Sequence, residues 1–159
     1  MDRPRLRRYC ESSVFIAMIQ GEAGRADTVK LIMEAAERGE TEVIISPIVQ
    51  AEVIMLPNRV VPSSEEEEEK VRAYLRHSWI RILPITAREG ELARRVAGAH
   101  GLKPLDALHV ACALSAKATV LETYDRADLL RIANPPLVIR EPTWEGGRPL
   151  ANRGMTLDS

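Results

Sequence analysis

Four acids in this chain, Glu11, Glu52, Asp106 and Asp125, fall where a predicted β-strand ends or the helix after it begins. Oxygen-only donors suit hard cations, Mg²⁺ or Mn²⁺, rather than zinc. Clustered carboxylates repel one another, and one or two divalent ions relieve that repulsion. Ions held this way lower the pKa of a bound water and clamp the attacking and leaving oxygens of a phosphodiester. The chemistry open to the four acids is therefore metal-assisted phosphoryl transfer or hydrolysis. Spacing alone does not establish it, because the positions lie far apart and most have an ordinary explanation. Glu11 reads equally as a solvated acid near a helix start, Asp125 as a helix N-cap, and Asp106 as a first-turn acid favoured by the helix dipole. Glu52 is harder to dismiss. Its helical neighbours Ile48, Val49, Met55 and Leu56 are all apolar, so its carboxylate lies on a burying face. An unpaired carboxylate there costs several kcal/mol or shifts its pKa strongly, and a metal ion or a basic partner removes that cost. No Lys or Arg lies within that helix.

The elements that must carry these acids alternate along the chain. Tyr9 and Cys10 end a short extended segment, made a weak strand by Arg7 and Arg8. Ser12 or Ser13 caps a helix through Ile19, and residues 25–38 form a second helix ended by Gly39. Glu42–Ser46 is a short buried strand, and Ser46-Pro47 opens a helix that stops at Leu56-Pro57. Residues 57–64 read as a loop. Glu65–His77 is a helix whose acidic start suits the macrodipole. Trp79–Pro84 is a strand, and Thr86 caps a helix to His100 with Gly101 at its end. Pro104 opens a helix to about Lys117, on which Asp106 sits in the first turn. Thr119–Glu122 is a strand, Arg126–Ile132 a short helix and Pro136–Ile139 a last strand. Short apolar strands alternating with helices predict a parallel sheet covered on both faces, with ligands bound at the strands' carboxyl ends.

Bulk properties narrow the classes. At 159 residues, 45% hydrophobic and 28% charged, the chain reads as one globular domain. No apolar run approaches the ~20 residues that span a bilayer, and no signal-peptide core follows the basic N-terminus, so a cytoplasmic location with no membrane association is expected. The net charge of −1 supplies no global field for nucleic acid, so a polyanion must be held by a local basic patch or by metal. Aromatic content of 4% argues against base-stacking platforms. Cys10 and Cys112 read as buried reduced thiols.

The pieces YCESSVFI, SPIVQAEV, ITAREGELA, GLKPLDALHVACAL and VLETYDRADL together resemble the PIN-domain family, in particular its VapC-like toxins, over roughly residues 8–140. The resemblance implies a three-layer α/β/α sandwich with a central, mostly parallel, flavodoxin-like sheet. It implies a PIN-like nuclease domain over 1–140; residues 141–159, which carry Gly and Pro and few apolar groups, read from composition as a C-terminal tail with Trp144 as an anchor. It implies Mg²⁺- or Mn²⁺-dependent endoribonuclease activity on RNA, an antitoxin partner and a homodimer. On matching positions, Glu52, Asp106 and Asp125 are the second, third and fourth acids of the catalytic metal site. Ser13 and Thr123 are the hydroxyls that orient ligands or metal-bound waters. Glu11 stands where the family has Asp, and its extra methylene moves the carboxylate by more than an ångström.

Two other readings stand beside the ribonuclease. One is a PIN-like module with impaired catalysis that binds RNA or a protein, motivated by Glu11. The other is a small-molecule α/β enzyme such as an aspartyl phosphatase, which needs an aspartate nucleophile at the first strand's end; the chain offers Glu11 there and no glycine-rich phosphate loop. His109, one turn after Asp106, reads as a core histidine on an apolar helix rather than a general base. Arg126 reads as an ordinary surface arginine.

Overall fold

A computed structural model describes residues 4–55 and 64–146. Its five strands form one parallel sheet in the order β3-β2-β1-β4-β5. They are β1 (Leu6–Cys10), β2 (Thr41–Ile45), β3 (Ile80–Ile82), β4 (Val120–Glu122) and β5 (Val138–Arg140). The helices are α1 (Ser12–Ile19), α2 (Arg25–Glu37), α3 (Pro47–Met55), α4 (Glu65–Leu75), α5 (Ala87–His100) and α6 (Pro104–Ser115). Two cores lie on opposite faces of the sheet. On one face Cys10, Val43 and Ile45 pack with Val14, Ile32, Val49 and Leu75 of α1 to α4. On the other, Tyr9, Ile44 and Leu121 pack with Ala93, Val96 and Val110 of α5 and α6. Alternate strand residues thus serve alternate layers, which is why the strands read as continuous apolar runs. This is the expected three-layer α/β/α sandwich, and every strand pairing in it is parallel.

The chain steps outward from β1 to β2 and β3, then returns to lay β4 on the other side of β1. The carboxyl ends of β1 and β4 therefore flank the point where strand order reverses, the place where parallel α/β sheets open a crevice for ligands. Glu11 follows β1 directly, and Thr123 follows β4 directly.

Local structure departs from the sequence expectation in a few places, each for a physical reason. The N-cap of α1 is Glu11 itself, whose carboxylate accepts from the Ser13 N–H, so the serines fall inside the helix rather than capping it. The short helix expected over Arg126–Ile132 is instead a turn followed by a 3₁₀ turn at Leu129–Arg131, and the Asp125 carboxylate caps the start of that segment, as expected of an N-cap, by accepting from the Ala127 and Asp128 N–H groups. β1 is a full strand despite Arg7 and Arg8. Arg8, 3% exposed, is neutralised inside the fold by Glu122 of β4, with Nη1 at 2.7 Å from both carboxylate oxygens. The expected loop over 57–64 lies outside the described residues except for Ser64, which caps α4. The Leu56-Pro57 helix stop and residues 147–159 also lie outside them. Cys10 and Cys112 are buried free thiols.

Candidate functional site

Glu11 is held at the end of β1 by the start of α1 and the end of β4. Its Oε2 accepts from the Ser13 N–H (3.1 Å), the Ser13 hydroxyl (2.5 Å) and the Thr123 hydroxyl (2.7 Å). The same two hydroxyls accept in turn from the backbone of the β4 loop, Ser13 from Tyr124 N–H and Thr123 from Asp125 N–H. Ser13 and Thr123 therefore tie the first acid to the loop that carries Asp125. Asp125 is fixed by its own turn, its Oδ1 accepting from Ala127 and Asp128 N–H at 3.1 Å each.

Glu52 projects from α3, between the buried Val49 and Val53, and its side chain keeps 36% exposure. The side chains of Met55 and Leu56, invoked for its apolar face, lie outside the described residues. The partner that the sequence left open comes from across the sheet: His109 of α6 donates from Nε2 to Glu52 Oε1 at 2.7 Å, and Ser12 Oγ donates to the same oxygen at 2.8 Å. Burial works to raise the Glu52 pKa, but the His109 and Ser12 hydrogen bonds outweigh it and hold the group below the usual carboxylate value. His109 is itself 1% exposed, and its Nδ1 lies 2.8 Å from the Tyr9 hydroxyl.

Asp106, one turn before His109 on α6, meets the acids of the β4 loop. Burial first, then the charges of Asp125 and Asp128, push its pKa above the ordinary value; Glu11 adds to this and His109 opposes it. The structure thus brings the four sequence-selected acids to one edge in two adjoining clusters. Glu11 and Glu52 lie with His109, and Asp106 and Asp125 lie with Asp128, with candidate ligand atoms within 4.8 Å of one another in each cluster. Thr123 bridges the clusters, bonding both Glu11 and the Asp125 backbone. Arg126 is exposed and engages Glu141 at 2.6 Å.

Sequence reasoning missed Asp128, Ser12 and the link from His109 to Glu52. Asp128 stands three residues after Asp125 and Ser12 directly after Glu11, so both were within reach of a local reading. The His109–Glu52 contact joins residues 57 positions apart on different helical layers, and no local pattern announces it.

A parallel α/β sandwich with acids massed where its strand order reverses belongs to the class of folds that open their ligand crevice at the sheet's carboxyl edge. The chain belongs to the PIN domain family, whose model matches residues 8–135. That is a family of nucleases that use divalent metal. No curated protein matches the sequence. Among solved structures, a toxin–antitoxin complex from Klebsiella pneumoniae is 21% identical, with 82% of this chain and 99% of that one covered at a TM-score of 0.59. The sarcin–ricin loop cleaving toxin VapC20 of Mycobacterium tuberculosis is 19% identical, with 76% of this chain and 91% of that one covered at a TM-score of 0.60. VapBC2 of Rickettsia felis, bound to a DNA fragment from its promoter, is 21% identical over 87% of this chain and 98% of that one, at a TM-score of 0.58. These likenesses establish the shared fold.

The residues present fit a divalent ion. The donors are oxygens of hard character. Burial is the main cause that raises the Asp106 pKa, and the further contribution from the charges of Asp125 and Asp128 is a repulsion a cation would relieve. Among the described residues, Glu11 Oε1, Glu52 Oε2, Asp125 Oδ2 and both Asp106 oxygens carry no hydrogen bond, although their sister oxygens on Glu11, Glu52 and Asp125 are bonded. Among the described residues no helix is long and apolar enough to cross a membrane.

Proposed function

We propose that this chain is a Mg²⁺- or Mn²⁺-dependent endoribonuclease that hydrolyses RNA phosphodiester bonds, the toxin of a toxin–antitoxin pair, and that it acts in the cytoplasm as a homodimer restrained by an antitoxin protein. The observation that carries the reading is the gathering of Glu11, Glu52, Asp106 and Asp125 at the carboxyl ends of β1 and β4 in a PIN-family chain. Those four acids would hold the ion, which supplies activation of water and neutralisation of charge on the phosphate. The chain's own contribution is placement. Ser13 and Thr123 hold Glu11 and the β4 loop in register, the Asp125 turn fixes its carboxylate, and Asp106, which has no hydrogen bond among the described residues, presents its acid from the first turn of α6. The similar structures, a toxin–antitoxin complex and a sarcin–ricin loop cleaving toxin, support the biological assignment.

Cleavage of labelled structured RNAs with and without Mn²⁺, wild type beside Asp106→Asn, tests the proposal. Metal-dependent cleavage by the wild type and its loss in a folded variant are expected. Undiminished cleavage by Asp106→Asn would refute the site. The second reading, a PIN-like module that binds RNA or protein without cutting, draws on Glu11, whose Oε2 is committed to three donors as a helix cap. An inactive wild type that gains cleavage on Glu11→Asp would select it.

A further inference from the structure

A single hydrogen-bonded chain runs across the sheet's carboxyl edge from one helical layer to the other. It starts at Ser12 of α1, passes to Glu52 of α3 (2.8 Å), crosses to His109 of α6 (2.7 Å), and continues through the Tyr9 hydroxyl of β1 to Ser46 Oγ at the β2–α3 junction (2.8 Å each). His109, Tyr9 and Ser46 are each at most 1% exposed. Burying three polar side chains end to end is costly unless each is satisfied, and here each is.

The direction of the chain follows from its acceptor-only end. A carboxylate can only accept, so His109 must carry a proton on Nε2 to meet Glu52. An Nε2 that bears a proton has no lone pair to offer an ion. Nδ1 is held by Tyr9, so the ring cannot flip without breaking both bonds. The Tyr9 ring itself is wedged in the core, edge-on to His109 with centroids 5.9 Å apart. Glu52, by contrast, projects from a helix on the opposite layer and keeps Oε2 without a hydrogen bond among the described residues.

We propose that His109, steadied by Tyr9, is a positioning residue that sets the Glu52 carboxylate for the divalent ion and ties α3 to the helix that carries Asp106. This rests on the reading of Glu52 as a metal ligand. Partners of this kind orient a ligand that would otherwise sample several rotamers. The contact also acts at a distance. It spans the two helical layers at the edge where the acid clusters adjoin, so it fixes how far Glu52 stands from Asp106.

Mn²⁺ binding to the RNA-free protein, followed by the loss of the free-ion electron spin resonance signal, tests this without any turnover. His109→Leu should weaken Mn²⁺ binding by about tenfold to a hundredfold, the usual cost of losing such a partner. His109→Gln, which can still present an amide N–H to Glu52, should recover most of it. Tyr9→Phe removes one hydroxyl without changing the ring's packing and should give a smaller loss, which keeps the test open if His109→Leu does not fold. In the Glu52→Gln background, His109→Leu should add nothing to the loss, whereas a merely structural histidine would add the same loss in both backgrounds. If Glu52→Gln lowers affinity and neither His109→Leu nor Tyr9→Phe does, the positioning role is overturned and the metal reading stands. If Glu52→Gln leaves affinity unchanged, the reading beneath it fails and the proposal with it. Nitrogen coupling to bound Mn²⁺ in pulsed spectra would also overturn it, by making His109 a ligand.

Discussion

At the scale of single residues, Asp106 bears the electrostatic cost of the site. Burial and the neighbouring Asp125 and Asp128 raise its folded pKa above the unfolded value. A group shifted this way stabilises the fold most below its unfolded pKa, and that contribution is lost as pH rises through the folded pKa. At neutral pH without metal, ionised Asp106 is therefore a liability. Asp106→Asn should raise the melting temperature of the metal-free protein at neutral pH, and the gain should fade on acidification. Thermal melts in chelator across a pH series check this, and an equal or lower melting temperature at neutral pH would contradict it. Added Mn²⁺ should stabilise the wild type more than the variant, since only binding to the folded state contributes. The positions of Asp106 and Asp125 were legible in the sequence because Pro104 marks a helix start and TVLE marks a strand end. Glu11 was legible as a location but not as a cap. His109 was read alone, because the contact that gives it a role comes from a helix folded onto the other face.

At the scale of elements, α5 shows why some boundaries could be read directly. Thr86 and Glu89 form a capping box, and Gly101 closes the helix in the left-handed region at φ 65°. Both signals are local, so the expected and observed helix agree. The Arg126–Ile132 segment has a start signal, the Asp125 carboxylate on the Ala127 and Asp128 N–H groups, but no capping box and no glycine stop, and it forms only a 3₁₀ turn at Leu129–Arg131. The α5 cap also titrates. The Thr86 hydroxyl, then its backbone N–H, hold Glu89 down from 4.5 to about 2. A depressed carboxylate contributes stability above its unfolded pKa and loses it as pH falls toward the folded one. Thr86→Ala should cost about 1 kcal/mol at neutral pH. The deficit should narrow below about pH 4 without vanishing, because the Arg88 N–H bond to the Thr86 hydroxyl does not titrate. Urea melts from neutral pH downward read this out, and a deficit constant with pH would count against it.

At the scale of the whole molecule, the Arg8–Glu122 pair links the strands at the site to the chain's last described segment. Arg8 lies on β1 and Glu122 on β4, and their contact lies one residue below Thr123, which holds Glu11. Arg8 Nε donates to Thr41 on β2, and its Nη1 reaches the Thr143 carbonyl at 3.2 Å. Trp144 packs against the core on that same face. Residues 141–146 therefore complete the burial of a charged pair, a role that their few apolar side chains do not advertise in sequence. Removing one member of a buried pair strands the other charge, at a cost of about 3–5 kcal/mol. Glu122→Gln should lower stability by that order, or roughly 2–4 °C in melting temperature per kcal/mol at this chain length. Ending the chain after Arg140 removes the Thr143 carbonyl and Trp144 but leaves the pair intact, so it should cost less than Glu122→Gln. Ending it after Gly146 keeps both contacts and should retain the stability of the 141–146 closure. Urea unfolding of the three variants beside the wild type gives the ranking. A chain ending at Arg140 that matches the wild type in stability would show that the segment beyond β5 is not part of the closure of this layer.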